Sequence, residues 1–243
     1  MFLNSILIII ILGRSNEILA VQNIACETLG NLKEFLLSDG YSISEILASK
    51  QKIPETIDNF DAIFILGGPM SVNDNLEYLI KEEQLIVNSI ELGIPVLGIC
   101  LGSQILANSC GGKVQKGSKK EIGWGFVDIT DYGKNSLFKN IVDDTIPVFQ
   151  WHGDTFVLPE NATVLSLSKL YIQAFEYKTA FGIQFHLEVT EKMILDWIQE
   201  YQKEIQDTNV DKEELVFEIE KKVKKLNRYS KIVYENFTSL IGK

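Results

Sequence analysis

The chain has 243 residues, of which 46% are hydrophobic and 23% are charged. This balance suits one α/β domain, alone or with a short extension. The formal net charge is −10, with 23 Lys and Arg against 33 Asp and Glu and no long basic run, which argues against a surface that binds nucleic-acid phosphates.

Three cysteines and two histidines limit the redox and metal chemistry of the chain. Cys26, Cys100 and Cys110 are widely spaced and form no C-x-x-C motif. We therefore expect no disulfide framework, no metal site and no cofactor, and a reducing, cytoplasmic location.

An apolar stretch, MFLNSILIIIL, opens the chain. It has about the length of a signal-peptide core and is well short of a membrane span. No Lys or Arg precedes it, and no clear small-x-small cleavage site follows it. We therefore expect no membrane association and treat residues 1–16 as a hydrophobic extension. Export, a buried strand and a start codon assigned too far upstream are the alternatives.

Short apolar runs alternate with helical periodicity through the first half of the chain, which predicts a parallel sheet covered by helices. The run DAIFILGG is continuously apolar, as expected of a strand buried on both faces. Pro95 stands at the entrance of the next run, GIPVLGIC, where the sheet needs no hydrogen-bond donor. The predicted strands are 18–21, 61–68 and 93–100, and the predicted helices are 29–37, 76–90 and 103–110.

Residues 122–186 are rich in short β-like segments separated by turn residues, and they predict a mixed sheet with a β-rich second half. The segments are WGFVDIT, IPVFQW, TVLSLS, YIQAFEY and AFGIQFH. From Glu191 the apolar residues recur at helical spacing, and the polar stretch QDTNVDKEE separates two amphipathic segments. We expect this helical tail, residues 191–243, to pack on the domain. A helix that binds a partner is the alternative.

Cys100 stands where a predicted strand passes into a predicted helix, in the motif GICLGSQ. A cysteine attacks as its thiolate, and the positive end of a helix dipole lowers the pKa of a thiol. Gly98 and Gly102 suit a tight strand-to-helix turn, like the G-x-S-x-G turn of hydrolases. Cysteines are also among the most buried residues, so the motif alone leaves a packing role open.

Two histidine motifs offer a base for this thiol. His152 precedes Asp154 in HGD, and His186 precedes Glu188 in HLE. In a strand, this i, i+2 spacing places the imidazole and the carboxylate on one face, where the acid can orient the ring as in a catalytic triad. The strand-like run FGIQF before His186 mildly favours the second motif, because Gly153 makes an extended HGD segment less certain.

The stretch LGGPMSVND, residues 66–74, follows a predicted strand that should lie next to that of Cys100. Glycine-rich turns supply backbone N–H groups for an oxyanion hole. The stretch lacks the G-x-x-x-x-G-K-[ST] spacing of a phosphate loop. Taken by itself, the stretch is more typical of an ordinary strand-to-helix connection.

Six motifs, taken together and in order, resemble the class I glutamine amidotransferase domain. Within that family the chain looks most like the stand-alone branch related to the amidotransferase domain of GMP synthetase. The resemblance covers roughly residues 18–190, and we assign the domain to residues 17–190. The motifs are GGPMSVND, GICLGSQ, EIGWG, QWHGDTF, QAF and GIQFHLEV.

This resemblance implies a flavodoxin-like α/β fold, with a mostly parallel sheet covered by helices. It also implies a catalytic triad of Cys100, His186 and Glu188. The implied oxyanion hole consists of the backbone amides of Gly68 and Leu101.

The resemblance also implies roles for motif residues outside the triad and the oxyanion hole. Gln104 and the region of Gly153 are expected to contact the glutamine substrate, while His152 and Asp154 line the pocket or support it. Leu187 stands where the family usually has proline, which implies a less rigid loop with the same i, i+2 spacing. The two remaining cysteines match no catalytic position and are expected to be structural.

The implied activity is hydrolysis of the γ-carboxamide of glutamine through a γ-glutamyl-cysteine thioester, with release of glutamate and ammonia. Because nothing of synthetase size fits in 243 residues, a separate synthetase chain is the expected acceptor of any ammonia. Two alternatives stay open. One is a γ-glutamyl peptidase acting on γ-glutamyl amides or glutathione-like compounds, and the other is a non-catalytic binding module.

Overall fold

The computed structural model describes residues 16–241. Residues 1–15, which make up nearly all of the predicted hydrophobic extension, lie outside the described part of the chain. The strands are β1 (Glu17–Gln22), β2 (Ser42–Leu47), β3 (Ala62–Ile65), β4 (Val96–Ile99), β5 (Lys113–Ile129), β6 (Thr145–Val157), β7 (Thr163–Leu167), β8 (Ile172–Tyr177) and β9 (Ala180–Ile183). The α-helices are α1 (Asn31–Ser38), α2 (Glu77–Leu92), α3 (Leu101–Ser109), α4 (Asp131–Asn135), α5 (Glu191–Glu200), α6 (Gln202–Thr208), α7 (Lys212–Val216) and α8 (Ile219–Thr238), and a 3-10 helix spans Val72–Asp74.

Four strands form the parallel half of one nine-stranded sheet, in the order β2–β1–β3–β4. The inner strands are buried on both faces, since Ile18 of β1 packs on one side of the sheet and Leu19 on the other. This double burial explains why these strands are continuous apolar runs. The sequence did not predict β2, because its residues lie half-buried or exposed at the sheet edge and form no apolar run.

The other five strands continue the sheet in the order β9–β8–β7–β5–β6. β9 is parallel to β4, and the pairs beyond it are antiparallel. The predicted mixed α/β sheet with a β-rich second half is therefore confirmed. β5 and β6 are longer than predicted and form one long antiparallel pair, whose register shifts between Lys116 and Glu121.

Helices cover both faces of the sheet. α1, α5 and α8 pack on one face, and α2 and α3 pack on the other. Within the tail, α8 contributes Phe237, whose ring lies edge-on to Phe64 of β3 with 5.2 Å between the ring centroids. Tyr234 of α8 packs on Phe35 of α1 with the two rings tilted and 5.4 Å between their centroids. No helix among residues 16–241 is long and apolar enough to span a membrane.

Candidate active site

Cys100 occupies the turn between β4 and α3, as the sequence predicted. Its backbone has φ 51° and ψ −108°, a conformation that L-residues seldom adopt and that often marks a functional position. The amide of Cys100 donates to the carbonyl of Ile183 at the end of β9, over 2.8 Å. A Cβ on Gly98 would overlap the backbone of Gly102, and a Cβ on Gly102 would overlap that of Ile65. Both glycines are therefore required by the tightness of this turn.

The thiol of Cys100 lies at the floor of a pocket, almost fully buried. Its Sγ is 3.7 Å from the carbonyl oxygen of Trp151 and 3.8 Å from Nε2 of Gln184. Burial raises the pKa of this thiol, while the charge of His186 and a hydrogen bond with it lower the pKa. A thiolate here thus depends on the imidazolium beside it rather than on the helix dipole alone.

The HLE motif brings an imidazole and a carboxylate together in a buried setting. Nδ1 of His186 is 2.6 Å from Oε1 of Glu188, and both side chains are buried. Burial by itself would lower the pKa of His186, but the Glu188 carboxylate and the neighbouring Cys100 raise it well above its usual value. The imidazolium form is therefore favoured at the position where a thiol proton would be received.

The HLE segment is not a strand, contrary to the prediction. β9 ends at Ile183, and His186 makes only an isolated antiparallel bridge with Phe149 of β6. α1 shapes the segment instead, because the amide and the side chain of Asn31 donate to the carbonyls of Glu188 and Leu187, each over 2.9 Å. These bonds orient the loop that has leucine where the family usually has proline.

The HGD motif is extended, but its histidine and its acid do not form a side-chain pair. It lies within β6, so Gly153 does not interrupt the strand, yet the side chains of His152 and Asp154 do not pair. Nδ1 of His152 is 2.9 Å from the backbone carbonyl of Asp154, and its Nε2 is 3.1 Å from Oε2 of Glu121 on β5. The Asp154 carboxylate accepts from Ser71 over 2.7 Å. An extended strand is therefore neither required nor sufficient for a histidine to bond the side chain of an acid two residues later.

The glycine turn after β3 lies beside the start of α3. The position that a Cβ of Gly68 would take is 3.1 Å from the Leu101 side chain and 2.8 Å from Cβ of Asn23. Leu101 is the first residue of α3, so its amide has no partner within the helix. The two residues predicted to form an oxyanion hole are thus neighbours, and Gly68 lines the Cys100 pocket.

Two buried side chains, those of Asn23 and Glu82, support this glycine turn. Nδ2 of Asn23 donates to the carbonyl of Leu66 over 3.1 Å and to Oε2 of Glu82 of α2 over 3.4 Å. Burial raises the pKa of Glu82 to about 8, opposed by the bond from Asn23. The carboxyl group is therefore largely protonated near neutral pH.

The predicted substrate contacts also reach this pocket, which has a volume of about 320 Å³. Gln104, Gly153 and His152 all line it. Nε2 of Gln104 donates to the carbonyl of Asp154 and to Oε1 of Gln184, each over 3.3 Å. These bonds orient the Gln104 amide at the pocket wall.

Three further pocket residues were missed by the sequence analysis. Glu27 follows β1, Tyr201 separates α5 from α6, and Glu204 lies on α6. Each comes from a segment far from the motifs in the chain, and no local pattern marks them. The tail that was expected only to pack on the domain therefore contributes side chains to the pocket.

Cys26, Cys100 and Cys110 are all free thiols. Among residues 16–241, no group of three or more His, Cys, Asp and Glu side chains is arranged to hold a metal ion.

Comparisons of the sequence and of the fold find similar known proteins. The family model for glutamine amidotransferase class-I matches residues 29–194. The glutamine amidotransferase-like protein YfeJ of Salmonella typhimurium is 30% identical over 189 residues, which cover 74% of this chain and 79% of that protein. The GMP synthase [glutamine-hydrolyzing] of Aliivibrio fischeri is 35% identical over 136 residues, covering 54% of this chain and only 25% of the synthase. The crystal structure of a glutamine amidotransferase from Thermotoga maritima superposes with a TM-score of 0.84 at 31% identity, covering 93% of this chain and 98% of the other.

Proposed function

Because the chain belongs to the class I glutamine amidotransferase family, we propose that it hydrolyses the γ-carboxamide of glutamine with Cys100 as the nucleophile. Members of this family generally use a cysteine nucleophile. One observation carries the proposal. The buried His186 ring interacts with the Cys100 thiol and is held by Oε1 of Glu188 at 2.6 Å.

The reaction begins with proton transfer within this group. Nε2 of His186 takes the thiol proton, and the thiolate of Cys100 attacks the γ-carbonyl carbon, forming a C–S bond and a tetrahedral oxyanion. When the intermediate collapses, the C–N bond breaks and His186 gives its proton to the departing nitrogen, which leaves as ammonia. Water, deprotonated by His186, then cleaves the thioester to give glutamate and the free thiol.

Glu188 orients the imidazole and stabilises its charge. With Nδ1 hydrogen-bonded to this carboxylate, the Nε2 atom is directed toward the thiol, in the manner of a catalytic triad. Both groups are buried, so their attraction is little screened by solvent. The positive charge on His186 is therefore retained until the leaving nitrogen requires the proton.

The oxyanion is held by the amides of Gly68 and Leu101. The Leu101 amide is at the N-terminus of α3, where the helix dipole favours negative charge. The Gly68 amide belongs to the turn supported by Asn23 and Glu82. Two rigid donors placed where charge develops lower the barrier for acyl transfer.

The substrate is positioned by the side wall of the pocket. The amide of Gln104 and the β6 backbone around Gly153 provide polar groups for the glutamyl moiety. His152 lines the same wall, held by Glu121. Its side chain is already bonded through both ring nitrogens, so it contributes shape and a polar edge rather than proton transfer.

A pair of cysteine variants tests the activity. Cys100→Ala should lower glutamate and ammonia release from glutamine by more than about 1,000-fold, because it removes the proposed nucleophile. Cys110→Ala, which removes a half-buried thiol on the far end of α3, is the matched control and should retain the wild-type rate. Glutamine hydrolysis by Cys100→Ala at the wild-type rate would end the proposal.

The fate of the ammonia depends on a partner. The chain matches about a quarter of the length of the GMP synthases, so the comparison covers only the amidotransferase region. We infer that a separate synthetase chain accepts the ammonia. Addition of such a chain should raise glutaminase activity and yield an aminated product, whereas free ammonia release in its presence would contradict the coupling.

The rim of the pocket favours one second candidate, a γ-glutamyl peptidase. Lys116, Lys120 and Glu204 form a charged rim beyond the thiol, which offers contacts for a leaving group larger than ammonia. Comparing kcat/KM for glutamine with that for a γ-glutamyl dipeptide separates the two activities. A preference of 100-fold or more for the dipeptide would exclude a dedicated ammonia donor.

A further inference from the structure

Glu27 is a buried acid that the proposed reaction does not yet use. It follows β1, is only 6% exposed, and lines the Cys100 pocket. Its Oε1 accepts a hydrogen bond from the hydroxyl of Tyr201 over 2.8 Å. In the part of the chain that the structure describes, no side chain or amide donates to its Oε2, which lies at the pocket. A carboxylate oxygen that no protein group occupies can accept a hydrogen bond from a molecule bound in the pocket.

The carboxyl group of Glu27 lies close to the His186 ring. Both it and the His186 ring contact Gly67: a Cβ on Gly67 would overlap Oε2 of Glu27 and would lie 3.3 Å from Cε1 of His186. Cε1 is bonded to Nε2, the atom that delivers the proton to the departing nitrogen. The leaving nitrogen must approach Nε2 closely, so it comes next to the Glu27 carboxyl group.

The other two acids that line the pocket are less buried than Glu27. Oε1 of Glu204 pairs with Lys120, and its Oε2 accepts from Nε1 of Trp151 over 3.0 Å. Asp154 is half-buried, and its Oδ2 accepts from Ser71. Glu27 is thus the most buried acid of the pocket, with one oxygen oriented by Tyr201 and the other available.

From this geometry we propose that Glu27 binds the departing amine of the substrate, accepting a hydrogen bond from its N–H, and that Tyr201 is the residue that positions Glu27. The inference rests on the proposed hydrolysis of a γ-glutamyl amide by Cys100. During collapse of the tetrahedral intermediate the leaving nitrogen gains a proton from His186, so its N–H bonds become stronger donors. The contact with Glu27 therefore strengthens toward the transition state and favours breaking of the C–N bond.

The substrate class follows from this contact. The leaving atom must carry hydrogen, as it does in a primary amide or in the secondary amide of a γ-glutamyl amine. The leaving oxygen of an ester carries none and gains nothing from Glu27. Burial raises the pKa of the Glu27 carboxyl group, and the charge of His186 and the hydrogen bond from Tyr201 offset that rise only in part.

An amide and an ester with the same glutamyl part test the inference. We would measure kcat/KM for glutamine and for glutamate γ-methyl ester with the wild-type protein, Glu27→Gln and Tyr201→Phe. Glu27→Gln should lower kcat/KM for glutamine by about 10- to 100-fold, as expected for loss of a hydrogen bond to a charged group, and lower that for the ester by less than about threefold. Tyr201→Phe should show the same selectivity with a smaller loss, about three- to tenfold for glutamine.

A matched control is Tyr234→Phe in α8. Its hydroxyl also donates to a carboxylate, that of Asp39, over 2.7 Å, but at the far end of α1 from the pocket. We expect this variant to hydrolyse both substrates within about twofold of the wild-type rate.

Failure of the inference about Glu27 can be distinguished from failure of the proposed hydrolysis. Equal losses for amide and ester in Glu27→Gln and Tyr201→Phe would mean a structural role and overturn the inference, as would unchanged rates in both variants. If the wild-type protein hydrolyses neither substrate, the proposed function fails before Glu27 is tested. Should Glu27→Gln not fold, the amide-to-ester ratio of Tyr201→Phe decides the question alone.

Discussion

Replacement of Asn31 by alanine tests how the C-terminal tail supports the active site. Asn31 is the first residue of α1 and is buried. Its Nδ2 donates to the carbonyl of Leu187 over 2.9 Å, and its Oδ1 accepts from the hydroxyl of Ser230 of α8 over 2.9 Å. One side chain thus connects α8 with the segment that carries His186 and Glu188. The backbone bond from residue 31 to Glu188 is retained in Asn31→Ala.

The expected loss follows from the two buried groups that the substitution leaves without a partner. A buried polar group that loses its hydrogen bond costs about 1–3 kcal/mol. The Ser230 hydroxyl can rotate to another acceptor, whereas the Leu187 carbonyl cannot. We therefore expect Asn31→Ala to lower the free energy of unfolding by roughly 2–4 kcal/mol. Displacement of the HLE segment by about 1 Å would lower kcat/KM by roughly 100-fold.

Two measurements separate these effects. Urea unfolding gives the change in stability, and glutamine hydrolysis is measured at a temperature where both proteins are folded. Ser230→Ala is the control, since it removes the α8 end of the connection and keeps the bond to Leu187. It should cost about 1 kcal/mol of stability and leave kcat/KM within about twofold.

A folded Asn31→Ala protein with wild-type kcat/KM would refute the reasoning, because Asn31 would then not hold the HLE segment. Equal losses of activity in Ser230→Ala and Asn31→Ala would also refute it. In that case α8 would act on the site by another route than the Leu187 carbonyl.

Three further substitutions test the charges and the turns around the site. Glu188→Gln removes the carboxylate that helps raise the pKa of His186, so the imidazolium should be lost at lower pH. The alkaline limb of the kcat/KM profile should then move to lower pH, and an unmoved limb would contradict the assignment. Glu82 has a pKa of about 8 in the fold against about 4.3 in the unfolded chain. The folded state therefore holds a proton that the unfolded state releases, and stability should fall between about pH 4.3 and 8, by up to roughly 5 kcal/mol. Glu82→Gln should flatten that part of the stability curve measured by urea unfolding, and an unchanged slope would mean that Glu82 is ionised in the fold. Gly30 has φ 50°, and a Cβ there would overlap the carbonyl oxygen of Glu188. Gly30→Ala should therefore cost more than about 2 kcal/mol of stability in the same assay, and a loss of less than 0.5 kcal/mol would show that the turn can relax.

Most of the fold could be predicted from local patterns. The runs of β1, β3 and β4 are apolar because both of their faces are buried, and the helical periodicity of α2 reflects its burial on one face. β2 escaped prediction because an edge strand needs no apolar run. The full lengths of β5 and β6 also escaped, because polar residues from Lys113 onward pair with each other over half-exposed positions.

The sequence indicated where the motif residues lie better than it indicated the backbone conformation of the two histidine segments. The strand-to-helix turn at Cys100 was predicted from its glycines, and the close approaches at Gly98 and Gly102 explain why they are needed. The argument for His186 from an extended strand was wrong. The HLE segment forms its side-chain pair in an irregular segment, whereas the motif of His152 lies in a strand and does not pair its side chains.

The sequence by itself determined the order of most elements, the turn at Cys100 and the motifs of the class I family, because each depends on residues close together in the chain. Only the tertiary structure decided which acid meets which base. Glu121 of β5 bonds His152 of the neighbouring strand β6. Tyr201 bonds Glu27 although 174 positions separate them in the sequence, and Ser230 bonds Asn31 over a separation of 199 positions. Contacts of this kind depend on where the sheet and the tail bring distant side chains together, and no local spacing records them.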